Sequence, residues 1–117
     1  MIQTLYDYSG QPIAYIDEDG FSIYSYNGQA VGWLSEDSVY NYSGKHLGFF
    51  MDGWIIDHSG DRVFFTEKSQ GGPARPARAA RPARGARQAR PARGVREARP
   101  ARSARSSSWS NLNDSFF

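Results

Sequence analysis

Leu5-Tyr6-Asp7-Tyr8-Ser9-Gly10, Ile23-Tyr24-Ser25-Tyr26-Asn27-Gly28, Val39-Tyr40-Asn41-Tyr42-Ser43-Gly44 and Ile55-Ile56-Asp57-His58-Ser59-Gly60 are four versions of one hexapeptide. Three residues past each glycine stands an aliphatic: Ile13, Val31, Leu47 and Val63. A small residue follows in three copies (Ala14, Gly32, Gly48), with Phe64 the exception, and then an aromatic: Tyr15, Trp33, Phe49 and Phe65. The glycines are 18, 16 and 16 residues apart, the two extra residues falling in Asp17-Glu18-Asp19-Gly20. A fixed period of this kind marks a chain built by repeating one supersecondary unit.

Each unit reads as a β-hairpin. β-Branched and aromatic residues favour strands, and Asn-Gly or Ser-Gly supplies the positive φ of a tight type I′ turn. A two-residue turn sets Tyr8 opposite Gln11, Tyr6 opposite Ile13 and Thr4 opposite Tyr15. One face then collects Tyr6, Tyr8, Ile13 and Tyr15, while Leu5, Ala14 and Ile16 share the other. Both faces are substantially apolar, so every hairpin needs cover on both sides. Identical neighbours about an axis provide it and leave no exposed strand edge. The small residues at 14, 32 and 48 point to the face nearest the centre. The expected fold is all-β: four hairpin repeats with pseudo-fourfold symmetry, eight short strands, in residues 1–70.

The fourfold [LIV]-Tyr-x-Tyr-[SN]-Gly hairpin, ending in small-aromatic, resembles the bacterial 4-fold beta flower domain family over about residues 4–67. The resemblance implies the fold and carries no activity with it. Tyr6-Asp7-Tyr8-Ser9-Gly10 is also similar to the tyrosine-aspartate repeats of large toxin and cell-surface shells, but four units are too few to build such a shell.

Residues 71–108 form a Pro/Ala/Arg repeat arm. From Arg75 to Arg105 every third residue is arginine: Arg75, Arg78, Arg81, Arg84, Arg87, Arg90, Arg93, Arg96, Arg99, Arg102 and Arg105. A nine-residue unit overlies that period, opening Arg-Pro-Ala-Arg at Arg81, Arg90 and Arg99, with residues 72–80 a degenerate first copy. In an α-helix the arginines would spiral round the axis and leave no apolar stripe, and the prolines would break it. In polyproline II they align along one edge, and the run would reach roughly 90 Å. With so little hydrophobicity the arm is expected to be largely disordered or PPII-like and solvated. The tip, residues 109–117, differs: Trp109, Leu112 and Phe116 fall on one side of a short helix if one forms. It reads as a docking peptide anchored by Phe117.

Charge divides along the same line: residues 1–72 carry −7 and residues 73–117 carry +9. An acidic head joined to a basic arm is a statement about partners rather than fold. The chain has no cysteine, which excludes disulfides and cysteine-zinc sites. Met1-Ile2-Gln3-Thr4 does not resemble a signal peptide, and no apolar run is long enough to span a bilayer. A cytoplasmic setting is the expectation.

No catalytic or metal site is expected, and no cofactor. His46 and His58 are the only histidines, and His58 occupies the repeat position of Tyr8, Tyr26 and Tyr42. No Ser-His-Asp spacing or phosphate loop accompanies them. The acids at Asp17-Glu18-Asp19, Glu36-Asp37 and Asp52 read as turns rather than a calcium loop, and the tyrosines as packing rather than a stacking platform for bases or sugars. The arginine array is a ligand for polyanions, since guanidinium offers planar paired donors. The leading expectation is a non-catalytic interaction or assembly module. Its arm binds an acidic protein surface, another copy's head included, and its tip (Trp109, Leu112, Phe116, Phe117) docks. The alternative is a sequence-nonspecific RNA- or DNA-binding protein acting through the arm; contact with an anionic membrane surface satisfies the same chemistry.

Overall fold

The computed structural model of the chain describes residues 1–112 and 115–117. Eight strands follow one another: β1 (Gln3–Tyr6), β2 (Pro12–Ile16), β3 (Ser22–Ser25), β4 (Ala30–Ser35), β5 (Ser38–Tyr40), β6 (His46–Met51), β7 (Trp54–Ile56) and β8 (Arg62–Phe65). They pair in sequence order, all antiparallel, and β8 returns to β1 to close a barrel. Among the described residues no helix forms. Extents of 36 × 35 × 23 Å, two nearly equal and one short, suit four units about one axis. The closing seam is the weakest pairing, a single register pair at Tyr6 and Phe65 whose rings stack 5.3 Å apart.

The hairpins have a bulged register rather than the tight one expected. Thr4 does face Tyr15, but the register slips after Leu5, so Tyr6 faces Pro12 and not Ile13. The same slip recurs in each hairpin. Its origin is the turn: Asp7 N–H donates to Gln11 O, and Gly10 N–H to Asp7 O. Only the glycine of the Ser-Gly or Asn-Gly pair has positive φ (Gly10 +86°, Gly28 +96°). A type I turn closed by a left-handed glycine adds one residue to the returning strand, and Asp7 Oδ1 fixes it by accepting from Ser9 and Gln11 N–H. The type I′ signature appears at a junction, where Asp52 and Gly53 have φ of +53° and +82° between β7 and its predecessor.

The bulge sorts the faces. Leu5, Ala14, Ile16, Ile23, Val39, Ile55 and Phe64 line the interior. Ile13, assigned by the tight register to the tyrosine face, packs against that interior with Val31 and Leu47. Tyr6 and Phe65, and Tyr15 and Tyr24, stack in separate clusters, and Trp33 stacks on Tyr40 at 5.1 Å. Tyr8, at the turn, is 54% exposed.

Candidate interaction site: the arm on the barrel

The arm contains no helix or strand, yet it is not a free, solvated segment. It passes the four hairpin turns in order, one nine-residue unit to each. The N–H groups of Ala79, Gln88, Glu97 and Ser106 donate to the carbonyls of Gly10, Gly28, Gly44 and Gly60 at 2.8–2.9 Å. Three residues behind each sits a second contact: Gly85 and Gly94 N–H reach Tyr26 and Tyr42 O at 2.7 and 2.8 Å, and Ser103 Oγ reaches His58 O at 2.8 Å. At the equivalent first position Pro76 has no N–H to give. The turns expose unpaired carbonyls, and an extended chain has unpaired N–H groups every few residues, so each satisfies the other.

The arginines take three places within each unit. Those two residues before Ala77, Ala86 and Val95 lie over rings: Arg75 on Trp54 (5.6 Å), Arg84 on Tyr15 (5.5 Å) and Arg93 on Trp33 (4.0 Å). Arg102, the fourth, reaches Asp37 and the Met51 sulfur instead. The next set meets the end of each hairpin: Arg78 pairs with Glu67, Arg87 with Asp17, Arg96 with Ser35 Oγ, and Arg105 with Asp52. Arg78 also lies over Tyr6 and so ties β1 to the residues after β8, across the seam. In the last set, Arg90 reaches Ser22 Oγ and Asp19, and Arg99 reaches Asp37. Arg81 has no hydrogen bond, ion pair or ring among the described residues.

These pairs explain where the two opposite charges meet. Asp17, with its side chain only 10% exposed, accepts both of its bonds from Arg87 (2.8 and 2.7 Å), and that carboxylate holds the guanidinium's pKa above its ordinary value. Burial works against the Asp19 carboxylate, but the Ser22 hydroxyl, the Ser22 and Phe21 N–H groups and Arg90 outweigh it and hold its pKa low. Glu97, the single acid within the run of arginines, is not a flaw in the pattern: its Oε1 accepts His46 N–H at 2.7 Å.

His46 is 2% exposed and uses both ring nitrogens, Nδ1 with His58 Nε2 (2.8 Å) and Nε2 with Ser38 Oγ (3.1 Å). Burial lowers its pKa, and the neighbouring His58 and Arg99 add to this against Glu97 and Asp37. The His46 and His58 centroids are 5.1 Å apart with 18° between planes, the in-line arrangement of a ring-to-ring hydrogen bond. His58 stands at the repeat position of Tyr8, Tyr26 and Tyr42 and is exposed, while His46 lies beneath it.

The tip docks on its own head. Ser110 N–H donates to Arg62 O, Arg62 N–H to Ser108 O, and Trp109 lies against Trp54 and Phe65. Trp109 therefore sits in a β-bridge, not on the short helix its spacing suggests; that helix would also span residues 113–114, which lie outside the described residues. Leu112 is 39% exposed, so it does not anchor the tip. Phe116 does: it is 5% exposed inside the barrel, edge-on to Phe64 at 5.8 Å, while Phe117 stacks on Phe64 at 5.8 Å. The small residues acquire a second meaning here. A Cβ on Gly48 would collide with the Ile56 carbonyl of the next strand and come within 3.2 Å of the Phe116 ring, and one on Gly32 would crowd the Tyr40 carbonyl at 2.8 Å and come within 3.3 Å of Phe117. Two hairpins withhold an interior side chain, and the C-terminal rings fill the space.

The profile of the 4-fold beta flower protein family matches residues 3–117, arm and tip included. The chain belongs to the 4-fold beta flower family. Among curated proteins and among solved structures nothing matches it. Membership thus accounts for the barrel and extends the family pattern through the arm, beyond the span that the hairpins alone suggest.

Proposed function

We propose that this 4-fold beta flower protein is a non-catalytic interaction module. Its arm and tip are the binding elements, and its own head is the first acidic surface they engage. An acidic protein partner, another copy's head included, is bound by exchange with these internal contacts. The observation that carries the reading is the match of periods: four nine-residue arm units lie on four hairpins, with arginines on junction acids. The arm exercises on its own head the chemistry it would offer a partner, and paired arginines retain 40–48% exposure of their side chains for a second carboxylate.

Competition is the test. Labelled polyglutamate is titrated into the full chain and into Asp17→Asn/Asp37→Asn/Asp52→Asn at two salt concentrations. Removing the internal acids is expected to strengthen binding by about tenfold, equivalent to about 1.4 kcal/mol, and salt to weaken it. Equal affinity for the two proteins would refute the exchange. Duplex DNA serves as the contrasting ligand: tighter binding than polyglutamate, with log K falling by about 0.9 per log salt for each phosphate contact, selects the nucleic-acid reading.

A further inference from the structure

Arg81, Arg90 and Arg99 hold equivalent places in successive units of the arm, and the first of them differs from the other two. Arg90 reaches Ser22 Oγ at 3.0 Å and Asp19, three residues earlier, at 3.5 Å. Nine residues back along the arm stands Arg81, and the hairpin residue equivalent to Ser22 is Thr4. Three residues before Thr4 the chain has Met1 where the second hairpin has Asp19. Arg99, the next in the series, has Asp37. The lattice of guanidinium–carboxylate pairs therefore has a place at Arg81 where the position equivalent to Asp19 holds no acid.

That place is a cleft of about 620 Å3. Arg81 and Arg84 stand in its wall beside Thr4 and Tyr26, whose hydroxyls are bonded to each other at 2.8 Å. Arg84 lies over the Tyr15 ring and has no acceptor for its guanidinium N–H groups among the described residues. Ile2 and Pro82 give the cleft an apolar side. Glu18 lines it too, but is in no ion pair among the described residues, so two guanidiniums outweigh one carboxylate. We infer that this cleft binds a small-molecule carboxylate carried on an apolar body. The carboxylate takes the position that Asp19 holds for Arg90, accepting from Arg81 and Arg84, and the body rests against Ile2 and Tyr26. Guanidinium suits this task because its planar donors engage both oxygens of a carboxylate at once.

The experiment uses the full chain with benzoate as the probe, at constant ionic strength set by chloride, followed through the arginine Nε–Hε resonances. Saturable shifts confined to Arg81 and Arg84 are expected. Benzyl alcohol, equal in shape without the charge, should produce none. Arg81→Gln should weaken benzoate by tenfold or more with an unchanged melting temperature, since Arg81 makes no hydrogen bond, ion pair or ring contact among the described residues, and Arg81→Lys should retain part of the affinity. Glu18→Gln should strengthen it by removing the opposing charge. Uniform, unsaturable shifts at all arginines would mean general ion screening and overturn the site. So would binding that survives Arg81→Gln, or binding that Glu18→Gln weakens.

Discussion

Replacing Gly28 with alanine asks whether the arm rests on the hairpin turns in solution, and Gly20→Ala supplies the control. Both glycines have strongly positive φ, +96° and +84°. An L side chain there costs about 1–2 kcal/mol of backbone strain. The two sites differ in surroundings: a Cβ at Gly20 meets nothing within 4 Å, whereas one at Gly28 collides with the Ala86 carbonyl of the arm. Lifting the arm there endangers two backbone bonds, Gln88 N–H to Gly28 O and Gly85 N–H to Tyr26 O, at about 0.5–1.5 kcal/mol each. Gly28→Ala should therefore cost about 1–3 kcal/mol more than Gly20→Ala. At roughly 4 °C per kcal/mol, that is an additional fall of about 4–12 °C in Tm. Thermal melting followed by circular dichroism measures it. Trypsin, which cuts after arginine, gives a second readout: the arm of Gly28→Ala should be cleaved faster, that of Gly20→Ala no faster than in the parent. Equal melting and equal cleavage in the two variants would refute the docking of the arm on the second hairpin.

Phe116→Ala empties a buried site under Gly48 and Phe64 and should destabilise the chain by about 3–5 kcal/mol, less if the whole tip lets go; urea titration measures it, and a loss below about 0.5 kcal/mol would mean that the ring does not occupy the barrel. Fluorescence of a hydrophobic dye should rise in residues 1–70 alone relative to the full chain, because that fragment leaves the interior uncovered; equal dye binding counts against the plug. Stability should be greatest above pH 6.5 and fall as pH drops from there toward the lowered pKa of native His46, since over that window the unfolded chain binds a proton that the folded one resists. His46→Gln should flatten the pH dependence of the urea midpoint, and an unchanged slope would assign it elsewhere. Arg87→Gln should free the arm to trypsin more than Arg105→Gln, because Asp17 is largely enclosed and Asp52 is half exposed; the reverse order would show that burial of the carboxylate does not set the strength of these pairs.

The sequence by itself determined the hairpins. Their number, their order, the positive φ at Gly10, Gly28, Gly44 and Gly60, and the inward face carrying Ala14, Gly32 and Gly48 all follow from local rules acting within a few residues: glycine's freedom, strand propensity and period two. The bulge was less legible, because the choice between a tight turn and one closed by Asp7 depends on where a side-chain oxygen points. The destination of the arm belonged to tertiary structure. A hydropathy pattern registers burial of apolar side chains, and this arm is held by other means: backbone N–H groups on turn carbonyls, guanidiniums over rings and on junction acids. None of these needs an apolar residue in the arm, so an attached strap and a solvated tail share one composition. A numerical signal was present nonetheless, four nine-residue units beside four hairpins, but a count cannot say that the two are in register; only the spacing of the turns around the barrel does. The same holds for the tip. Phe116 and Phe117 announce an anchor, while the glycines that receive them lie far away in sequence, and closing the sheet is what brings the absent side chains and the added rings to one place.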